Sequence, residues 1–311
     1  LAAVLLVQGV PARAAEPSEE MNLAVEAATM PVGVEEWQML LVNGNNPLPE
    51  DFTVELAPLE NGMKADKRIC ADLAAMLKDC RAAYDLTGGR VNAAMGSVLS
   101  LWHDAREAGL SDPSHASLPE REALEEAARH TSFDTVHIDE ENGTVYLSDP
   151  AQRLDVGAIA KGWAAQRVAE QLPEGYMLNL GGNVCTRGTK PDGGSWNVAV
   201  QSPESGADYL CVVALTGQSL VTSGDYQRSY TVDGKRYHHI IDPDTLMPAA
   251  YWRSVSVLAA DSGLADCLST ALFLLPLEEG RALAEKCGVQ AMWVDEALAV
   301  TQTPGFAACV Q

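Results

Sequence analysis

The sequence predicts an α+β fold in which most of the sheet is antiparallel. Segments with the character of strands do not alternate with helical segments in the βαβ rhythm that builds parallel sheets. Two dipeptides typical of tight hairpins, Asn142-Gly143 and Asp233-Gly234, each separate two short apolar segments. Apolar residues at helical spacing mark helices between these hairpins, as over residues 72–83. Hairpins together with interspersed helices indicate antiparallel sheets packed against helices.

The first half of the chain is predicted to contain several helices and few strands. Ser117 and Glu120 have the spacing of a capping box and predict a helix that ends near residue 130. Gly157 follows an apolar segment and predicts the start of a helix that ends near residue 172. In chain order, the other predicted elements are a strand at 37–42, a helix at 72–83, an apolar segment rich in small residues at 91–102, and a hairpin of strands 136–138 and 145–147.

The second half is predicted to be mostly strand. A helix is expected to begin at Ser262, and another over residues 277–287 is expected to end at Gly288, a residue suited to the position after a helix. The predicted strands, in order, are 177–180, 195–201, 208–215, 219–222, 226–232, 235–241, 253–258, 289–294 and 297–301.

The composition and the net charge limit the classes of protein to which this chain can belong. The chain has 311 residues, of which 47% are hydrophobic and 21% charged, as in an ordinary globular protein. A net charge of −22 argues against binding to nucleic acid or to anionic membranes, but it suits divalent cations. The seven cysteines lack paired CxxC spacing, so we expect no zinc and interpret most of them as small core residues.

The first fifteen residues resemble part of a signal peptide. An apolar stretch over residues 1–10 precedes Pro11-Ala-Arg-Ala-Ala, which offers an Ala-x-Ala cleavage site. The stretch has no initiator Met and no basic region, so it resembles a signal peptide remnant. We therefore expect an exported, extracytoplasmic protein. Residues 16–36 are acidic and rich in Ala, and they are interpreted as a linker.

One stretch joins a strand end to a helix start with charged side chains on both sides. It carries Asp155, then Gly157, then Lys161 one turn into the predicted helix. Backbone N–H groups at a helix start, followed by a nearby cation, suit a bound anion. The alternative is an ordinary strand–turn–helix joint with a solvated lysine.

Two further patterns suit catalysis on a phosphorylated substrate. Asp266 and Thr270 lie four residues apart on a predicted helix, so they share a face and offer two hard oxygen ligands of the kind that Mg²⁺ takes. His238 and His239 lie on a predicted strand and should point to opposite faces, so that one could face inward as a general base. The alternatives are a carboxylate paired with the helix dipole, a Thr bonded back to its own helix, and a buried structural histidine.

Two turns could approach a ligand through their backbone. Gly181-Gly182-Asn183 follows an apolar strand, and Thr222-Ser-Gly-Asp could form a nest of N–H groups for an anion. Each pattern is common when taken alone. The sequence contains no P-loop, GxGxxG, HExxH or GxSxG motif.

From residue 84 onward, five motifs in this order resemble the ApbE family of FAD:protein FMN transferases. They are Asp155-Val-Gly-Ala-Ile-Ala-Lys-Gly-Trp, Leu178-Asn-Leu-Gly-Gly-Asn, Thr222-Ser-Gly-Asp-Tyr-Gln-Arg, Tyr237-His-His-Ile-Ile-Asp-Pro and Ala265-Asp-Cys-Leu-Ser-Thr-Ala. The resemblance implies an ApbE-like α+β fold with packed helices. It also implies an exported enzyme that uses magnesium, moves FMN from FAD to a Thr hydroxyl of a redox-complex subunit in a membrane, and releases AMP.

The resemblance also implies roles for particular residues of this chain. The implied metal ligands are Asp266, Thr270 and a backbone carbonyl of the turn at 157–160, assigned to Ala158. His239 is the implied base. The residues implied to line the flavin nucleotide cleft are Asp155, Lys161, Gly181, Gly182, Asn183, Ser223, Asp225 and His239.

The segment before residue 84 departs from the family's usual pattern. Its residues from Leu40 to Met76 resemble the leader of VanY-type D-alanyl-D-alanine carboxypeptidases, without the zinc-binding motifs of that family. The chain is therefore interpreted as a carboxypeptidase-like segment at 37–83 followed by a flavin transferase domain at 84–311. Two alternatives to the transferase remain open at this point, an exported FAD pyrophosphatase with water as acceptor and a flavin-binding module without turnover.

Overall fold

A computed structural model describes residues 21–25, 37–42, 67–68, 71–139, 144–204 and 209–311. The predicted signal peptide remnant, Cys70 and the hairpin tip Asn142-Gly143 lie outside these ranges. The helices are α1 (Ala71–Thr87), α2 (Gly96–Ser111), α3 (Arg121–Ala128), α4 (Ala160–Gln171), α5 (Ser262–Phe273), α6 (Leu277–Lys286) and α7 (Pro304–Ala307).

In the part of the chain that the structure describes, fifteen short strands accompany these helices. In chain order they are β1 (Met21–Val25), β2 (Trp37–Val42), β3 (Lys67–Arg68), β4 (Val136–Asp139), β5 (Thr144–Leu147), β6 (Tyr176–Leu180), β7 (Asn183–Arg187), β8 (Trp196–Gln201), β9 (Tyr209–Leu215), β10 (Ser219–Gly224), β11 (Ser229–Val232), β12 (Lys235–His238), β13 (Ser254–Ala259), β14 (Gln290–Val294) and β15 (Val300–Gln302).

The largest sheet has eight strands in the order β1-β2-β6-β7-β10-β13-β14-β15. Each neighbouring pair in it is antiparallel. Smaller antiparallel sheets are formed by β3-β5-β4, β8-β9 and β11-β12. The predicted α+β class with mainly antiparallel sheet is therefore confirmed.

The central helix α5 packs against the middle of the eight-stranded sheet. Its contacts are with β10 and β13 on one side and with α4 on another. Ten of its residues are buried, and Leu268, Ala271 and Leu272 are fully so. Burying apolar side chains on a helix interior is the main source of its stability. The motif that carries Asp266 is thus held in a largely buried helix.

Several sequence-based expectations hold in detail. Asp233 and Gly234 both have positive φ, at 49° and 77°, as a two-residue hairpin turn of type I′ requires, and they join β11 to β12. Gly288, with φ of 66°, follows the end of α6 as expected. Cys80, Cys185 and Cys267 are buried free thiols, while the other described cysteines are half-buried and free.

The start of α3 differs from the prediction. The helix begins at Arg121 with Glu120 as its N-cap, and no side chain caps it. The capping box at Ser117 does not form because Pro119 disfavours helical geometry at the preceding Leu118. The Ser117 carbonyl instead accepts a hydrogen bond of 3.1 Å from the Tyr230 hydroxyl.

The region before residue 84 is joined to the rest of the fold. Strand β2 pairs with β6, and β1, inside the predicted linker, pairs with β2. Helix α1 crosses the predicted boundary at residues 83 and 84, and Leu73, Met76 and Leu77 enter the same core as Val168 of α4. The boundary therefore falls inside a helix of the common core. The resemblance of the segment to a carboxypeptidase leader stays a prediction.

No helix in the described part of the chain is long and apolar enough to cross a membrane.

Candidate active site

A cavity opens where the ends of several elements meet. The segment that leads into α4 lines one side of it, and β10, the end of β12 and α5 line the other. Among the residues predicted from the sequence, seven lie on its wall. They are Asp155, Ala158, Lys161, Ser223, His239, Asp266 and Thr270.

Helices α4 and α5, which both contribute residues to the cavity wall, cross closely at Gly162. The Gly162 backbone N–H donates a hydrogen bond of 2.7 Å to Oδ2 of Asp266. A Cβ atom at Gly162 would lie 2.3 Å from the Ser262 carbonyl oxygen and 2.5 Å from the Asp266 Cβ. A residue with a side chain therefore cannot occupy this position unless the helices move apart, and the glycine lets the Asp266 carboxylate reach the backbone of α4.

Asp266 is a buried carboxylate in a polar setting. It is 4% exposed, and its burial raises its pKa, while the positive charge of Lys161 and the Gly162 N–H oppose that rise. Thr270 lies one turn further along α5, as the four-residue spacing predicts. The Ser223 hydroxyl lies 2.8 Å from that of Ser269 and 3.4 Å from that of Thr270. Hydroxyl groups of β10 and α5 therefore meet at Thr270, one helical turn from Asp266.

The turn before α4 leaves a backbone carbonyl available. In a continuous helix the Gly162 N–H would bond to the carbonyl of Ala158, four residues earlier, but here it bonds to Asp266. Among the described residues, no backbone N–H bonds to the Ala158 oxygen. A buried carboxylate, a hydroxyl and a carbonyl on one wall form the oxygen donor set that Mg²⁺ takes, so these residues fit that ion.

Lys161 connects the cavity to the turn between β6 and β7. Its Nζ lies 3.5 Å from the Gly181 carbonyl oxygen and 3.3 Å from Oδ1 of Asn183. Gly181 and Gly182 have φ of 55° and 93°, and the Gly182 N–H donates to Oδ1 of Asn179 at 2.9 Å. The structure does not bring the two glycines or Asn183 to the cavity wall. Gly181 and Asn183 instead hold the lysine that reaches it.

Asp155 lies on the wall beside the start of α4. Its Oδ1 accepts a hydrogen bond of 2.7 Å from the Gly157 N–H, and its own N–H donates to the Ala93 carbonyl at 2.7 Å. Burial raises the pKa of Asp155, and the Gly157 N–H and the charge of Arg228 oppose the rise. The carboxylate therefore closes the turn as well as facing the cavity.

The two histidines at the end of β12 have different surroundings. Strand β12 ends at His238, so strict alternation stops there, and both His238 and His239 border the cavity. Nε2 of His238 donates to the Ala249 carbonyl at 2.9 Å, and its Nδ1 accepts from the Ile240 N–H at 3.2 Å. Both ring nitrogens of His238 are thus used in holding the backbone, which makes it a structural histidine.

His239 has the features expected of a base. Its Nδ1 is buried and has no hydrogen-bond partner among the described residues. Burial, reinforced by the positive charge of Arg228, holds the pKa of His239 well below its ordinary value. The imidazole is therefore neutral at pH 7 and able to accept a proton.

Asp225 lies beside the cavity, and the structure does not bring it to the wall. Its Oδ2 accepts hydrogen bonds from Arg236 at 2.6 Å and from Nε of Arg253 at 2.8 Å. The Asp225 side chain is 10% exposed in this setting. Asp225, predicted to line the flavin cleft, is instead the centre of an ion-pair cluster that ties three elements together.

Sequence reasoning missed three arginines and a group of aromatic rings on the wall. Four positive side chains, Arg90, Arg106, Lys161 and Arg228, border the cavity of a chain whose net charge is −22. Of the three arginines, only Arg228 belonged to a recognised motif, so the others carried no local signal. The aromatic residues Trp102, Tyr230 and Tyr237 also border the cavity, and the ring centroids of the stacked Trp102 and Tyr237 lie 6.3 Å apart.

Comparison with known proteins agrees with this geometry. The sequence matches the model of the ApbE family over residues 52–293. This chain belongs to the ApbE family. The match begins inside the segment that was interpreted as carboxypeptidase-like, so at least part of that segment belongs to the family as well.

Two proteins named FAD:protein FMN transferase are similar to this chain over most of its length. The FAD:protein FMN transferase of Klebsiella pneumoniae is 37% identical over 72% of this chain and 66% of that protein. The enzyme of the same name from Treponema pallidum is 34% identical over 71% of this chain and 65% of that protein. The matched part thus spans slightly less than two thirds of each relative's own length.

Solved structures of the family share the fold. The ApbE protein of Thermotoga maritima superposes with a TM-score of 0.75 at 25% identity and covers 94% of this chain and 100% of that one. The flavin transferase ApbE of Vibrio cholerae gives a TM-score of 0.68 at 21% identity, with 94% and 100% covered. The ApbE-like fold implied by the five motifs is confirmed.

Proposed function

We propose that this chain is an FAD:protein FMN transferase that moves FMN from FAD to a Thr hydroxyl of an acceptor protein. The observation that carries the proposal is the meeting of Asp266, Thr270, Ala158, Lys161 and His239 on one cavity wall. These residues come from three motifs far apart in the sequence. The name that the curated relatives share supports the same activity.

The proposed reaction exchanges one phosphorus–oxygen bond for another. The acceptor Thr oxygen attacks the phosphorus of the FMN half of FAD and forms a new P–O bond. The bridging P–O bond to the other phosphate breaks, and its electron pair leaves with AMP. The Thr proton passes to the base as the oxygen attacks.

His239 is the proposed base, because it is neutral and has a buried, unpartnered Nδ1 at the cavity. Lys161 borders the cavity and is held there by the Gly181 carbonyl and Asn183, so its charge is directed at the cavity. A fixed cation at this place lowers the free energy of the extra negative charge on phosphate oxygens in the transition state.

Magnesium is the proposed metal, held by Asp266, Thr270 and the Ala158 carbonyl. When bound, it would neutralise charge on the phosphate oxygens. The ion usually keeps few protein ligands and completes its shell with water and substrate phosphates. We therefore expect tight metal binding when FAD is present. In the described residues, no three His, Cys, Asp or Glu side chains converge, and the expectation of no zinc stays a prediction.

The acceptor and the location follow from the resemblance. We propose a Thr-containing subunit of a membrane redox complex as the acceptor. We also propose export across the membrane, on the basis of the apolar residues 1–10 and the Ala-x-Ala site that follows them. Cell fractionation of the full-length protein tests the location, and recovery with the cytosolic fraction would refute it.

The decisive experiment is flavin transfer in vitro. The chain is incubated with FAD, Mg²⁺ and a candidate acceptor domain, and mass spectrometry then measures FMN attached to the acceptor Thr. The matched controls are the acceptor with this Thr changed to Val, and the His239→Ala variant. AMP release without labelling of any acceptor would assign the FAD pyrophosphatase activity instead. Binding of FAD without AMP release would indicate a flavin-binding module.

A further inference from the structure

The loop between β10 and β11 carries a cation that the proposed reaction has not yet used. Arg228 lies in this loop, and its side chain borders the cavity. Ser223, near the end of β10, precedes the loop, and Tyr230 of β11 follows it; both border the same cavity. The loop therefore passes along the cavity between two wall residues.

Arg228 shares the cavity wall with Asp155, His239 and Asp266. Its positive charge helps to keep the pKa of the His239 imidazole low and opposes the rise in the pKa of Asp155. The guanidinium therefore borders the same cavity as the other proposed site residues, where a ligand that spans this cavity would meet it.

Asp225 fixes the start of this loop to two other elements. Its Oδ2 accepts hydrogen bonds from Arg236 of β12 and from Arg253 just before β13, and its backbone N–H donates to the Arg253 carbonyl at 3.0 Å. Arg253 in turn donates to the Pro203 carbonyl at 3.0 Å. Because Arg228 follows Asp225 by three residues, this cluster restricts where its guanidinium can lie.

We propose that Arg228 binds the phosphate groups of the nucleotide substrate and that Asp225 is the positioning residue that holds Arg228 in place. A planar guanidinium matches two phosphate oxygens at once, which gives direction as well as affinity. In a chain with a net charge of −22, an anionic ligand needs such local cations. The inference rests on the proposed function, in that the ligand is taken to be a dinucleotide with a pyrophosphate.

Calorimetry with two probes tests the role of Arg228. ADP carries a pyrophosphate, whereas riboflavin is a flavin without phosphate, and both are titrated in the presence of Mg²⁺. Arg228→Gln should weaken ADP binding about tenfold or more, since a charge-assisted contact is lost, and change riboflavin affinity less than about twofold. Arg228→Lys should keep part of the ADP affinity. The control is Arg81→Gln, which removes an arginine that pairs with Asp134 away from the cavity.

The same probes test Asp225. Asp225→Ala should weaken ADP binding in the same direction as Arg228→Gln, with riboflavin affinity unchanged. Asp225→Asn keeps an oxygen that can accept from both arginines, so it should fall between the Ala variant and the wild type. If the Ala variant does not fold, Arg236→Gln, which removes one partner of Asp225, should weaken ADP binding several-fold.

Clear results would overturn the inference. Arg228→Gln with wild-type affinity for ADP, or with equal losses for ADP and riboflavin, would refute the role of Arg228. Absence of ADP binding by the wild-type chain would do the same. Unchanged ADP affinity in the Asp225 variants would refute positioning. These measurements need no flavin transfer, so a chain that binds ADP through Arg228 but never labels an acceptor would contradict only the proposed function.

Discussion

The Gly162 N–H donates to Oδ2 of Asp266 at 2.7 Å, and this one bond joins the two motifs on which the site depends. It draws the carboxylate of α5 onto the first turn of α4. It also diverts the donor that a continuous helix would direct to the Ala158 carbonyl. A carboxylate and a free carbonyl are thereby placed on the same wall, and the absence of a side chain at Gly162 makes the contact possible.

We expect Asp266→Asn to stabilise the metal-free protein while abolishing its response to Mg²⁺. The pKa of Asp266 in the folded chain is raised above its unfolded value near 3.8, so above that range the ionised carboxylate lowers the free energy of unfolding. A neutral amide removes this cost and can still accept from the Gly162 N–H. Thermal unfolding at pH 7 should show a Tm higher by roughly 2–4 °C for each kcal/mol gained.

The control for this variant is Asp134→Asn, since that carboxylate is 81% exposed. Its Tm and its stabilisation by Mg²⁺ with FAD should match those of the wild type. A lower Tm in Asp266→Asn, or a retained response to Mg²⁺, would show that Asp266 is a structural carboxylate.

Two helical glycines give a matched pair for the helix crossing. Gly162→Ala places a Cβ against the Ser262 backbone and Asp266, so we expect it to lower the free energy of unfolding by about 1–3 kcal/mol. We also expect it to remove the response to metal. At Gly280, a Cβ would meet its nearest neighbour at 3.5 Å, an ordinary contact. Gly280→Ala should therefore be neutral or stabilise by up to about 1 kcal/mol. Equal effects in chemical denaturation would contradict the close crossing.

His239→Ala should lower the rate of flavin transfer by about 10²–10⁴-fold while FAD affinity changes little, because removing a general base leaves substrate positioning in place. His238→Ala loses two backbone hydrogen bonds, so its main effect should be on stability, about 1–3 kcal/mol. Single-turnover kinetics and chemical denaturation measure the two effects. A larger rate loss at His238 would reverse the assignment.

The pH dependence follows from the direction of the shift at His239. Its pKa lies well below 6.5 and its neutral form is the proposed active one, so kcat/KM should be level near pH 7 and fall only as pH drops through that lowered pKa. The fall in kcat should begin at a higher pH than the fall in kcat/KM, because the anionic bound substrate favours the protonated imidazole. If the residual activity of His239→Ala still falls at the same acidic pH, the group that titrates there is not His239 but another one, such as Asp266.

Local patterns predicted the elements best where one short stretch decides the structure. The turn at Asp233-Gly234 needs only two residues that tolerate positive φ, and α6 ends where Gly288 permits it. Prediction was poorer where a neighbour in the chain intervened. Pro119 displaced the start of α3, and β12 ends at His238, earlier than the predicted end of the strand at residue 241.

The sequence by itself determined the class of the fold, the family and the motifs that hold Asp266, Thr270, Lys161 and His239, because residue type and spacing are local properties. The tertiary structure alone decided which motif residues reach the cavity. It turned Asp225 toward Arg236 and Arg253, and it brought Arg90 and Arg106 to the wall. It also joined α1 and β2 to the common core. Such placements depend on contacts between residues far apart in the chain, and no local pattern records them.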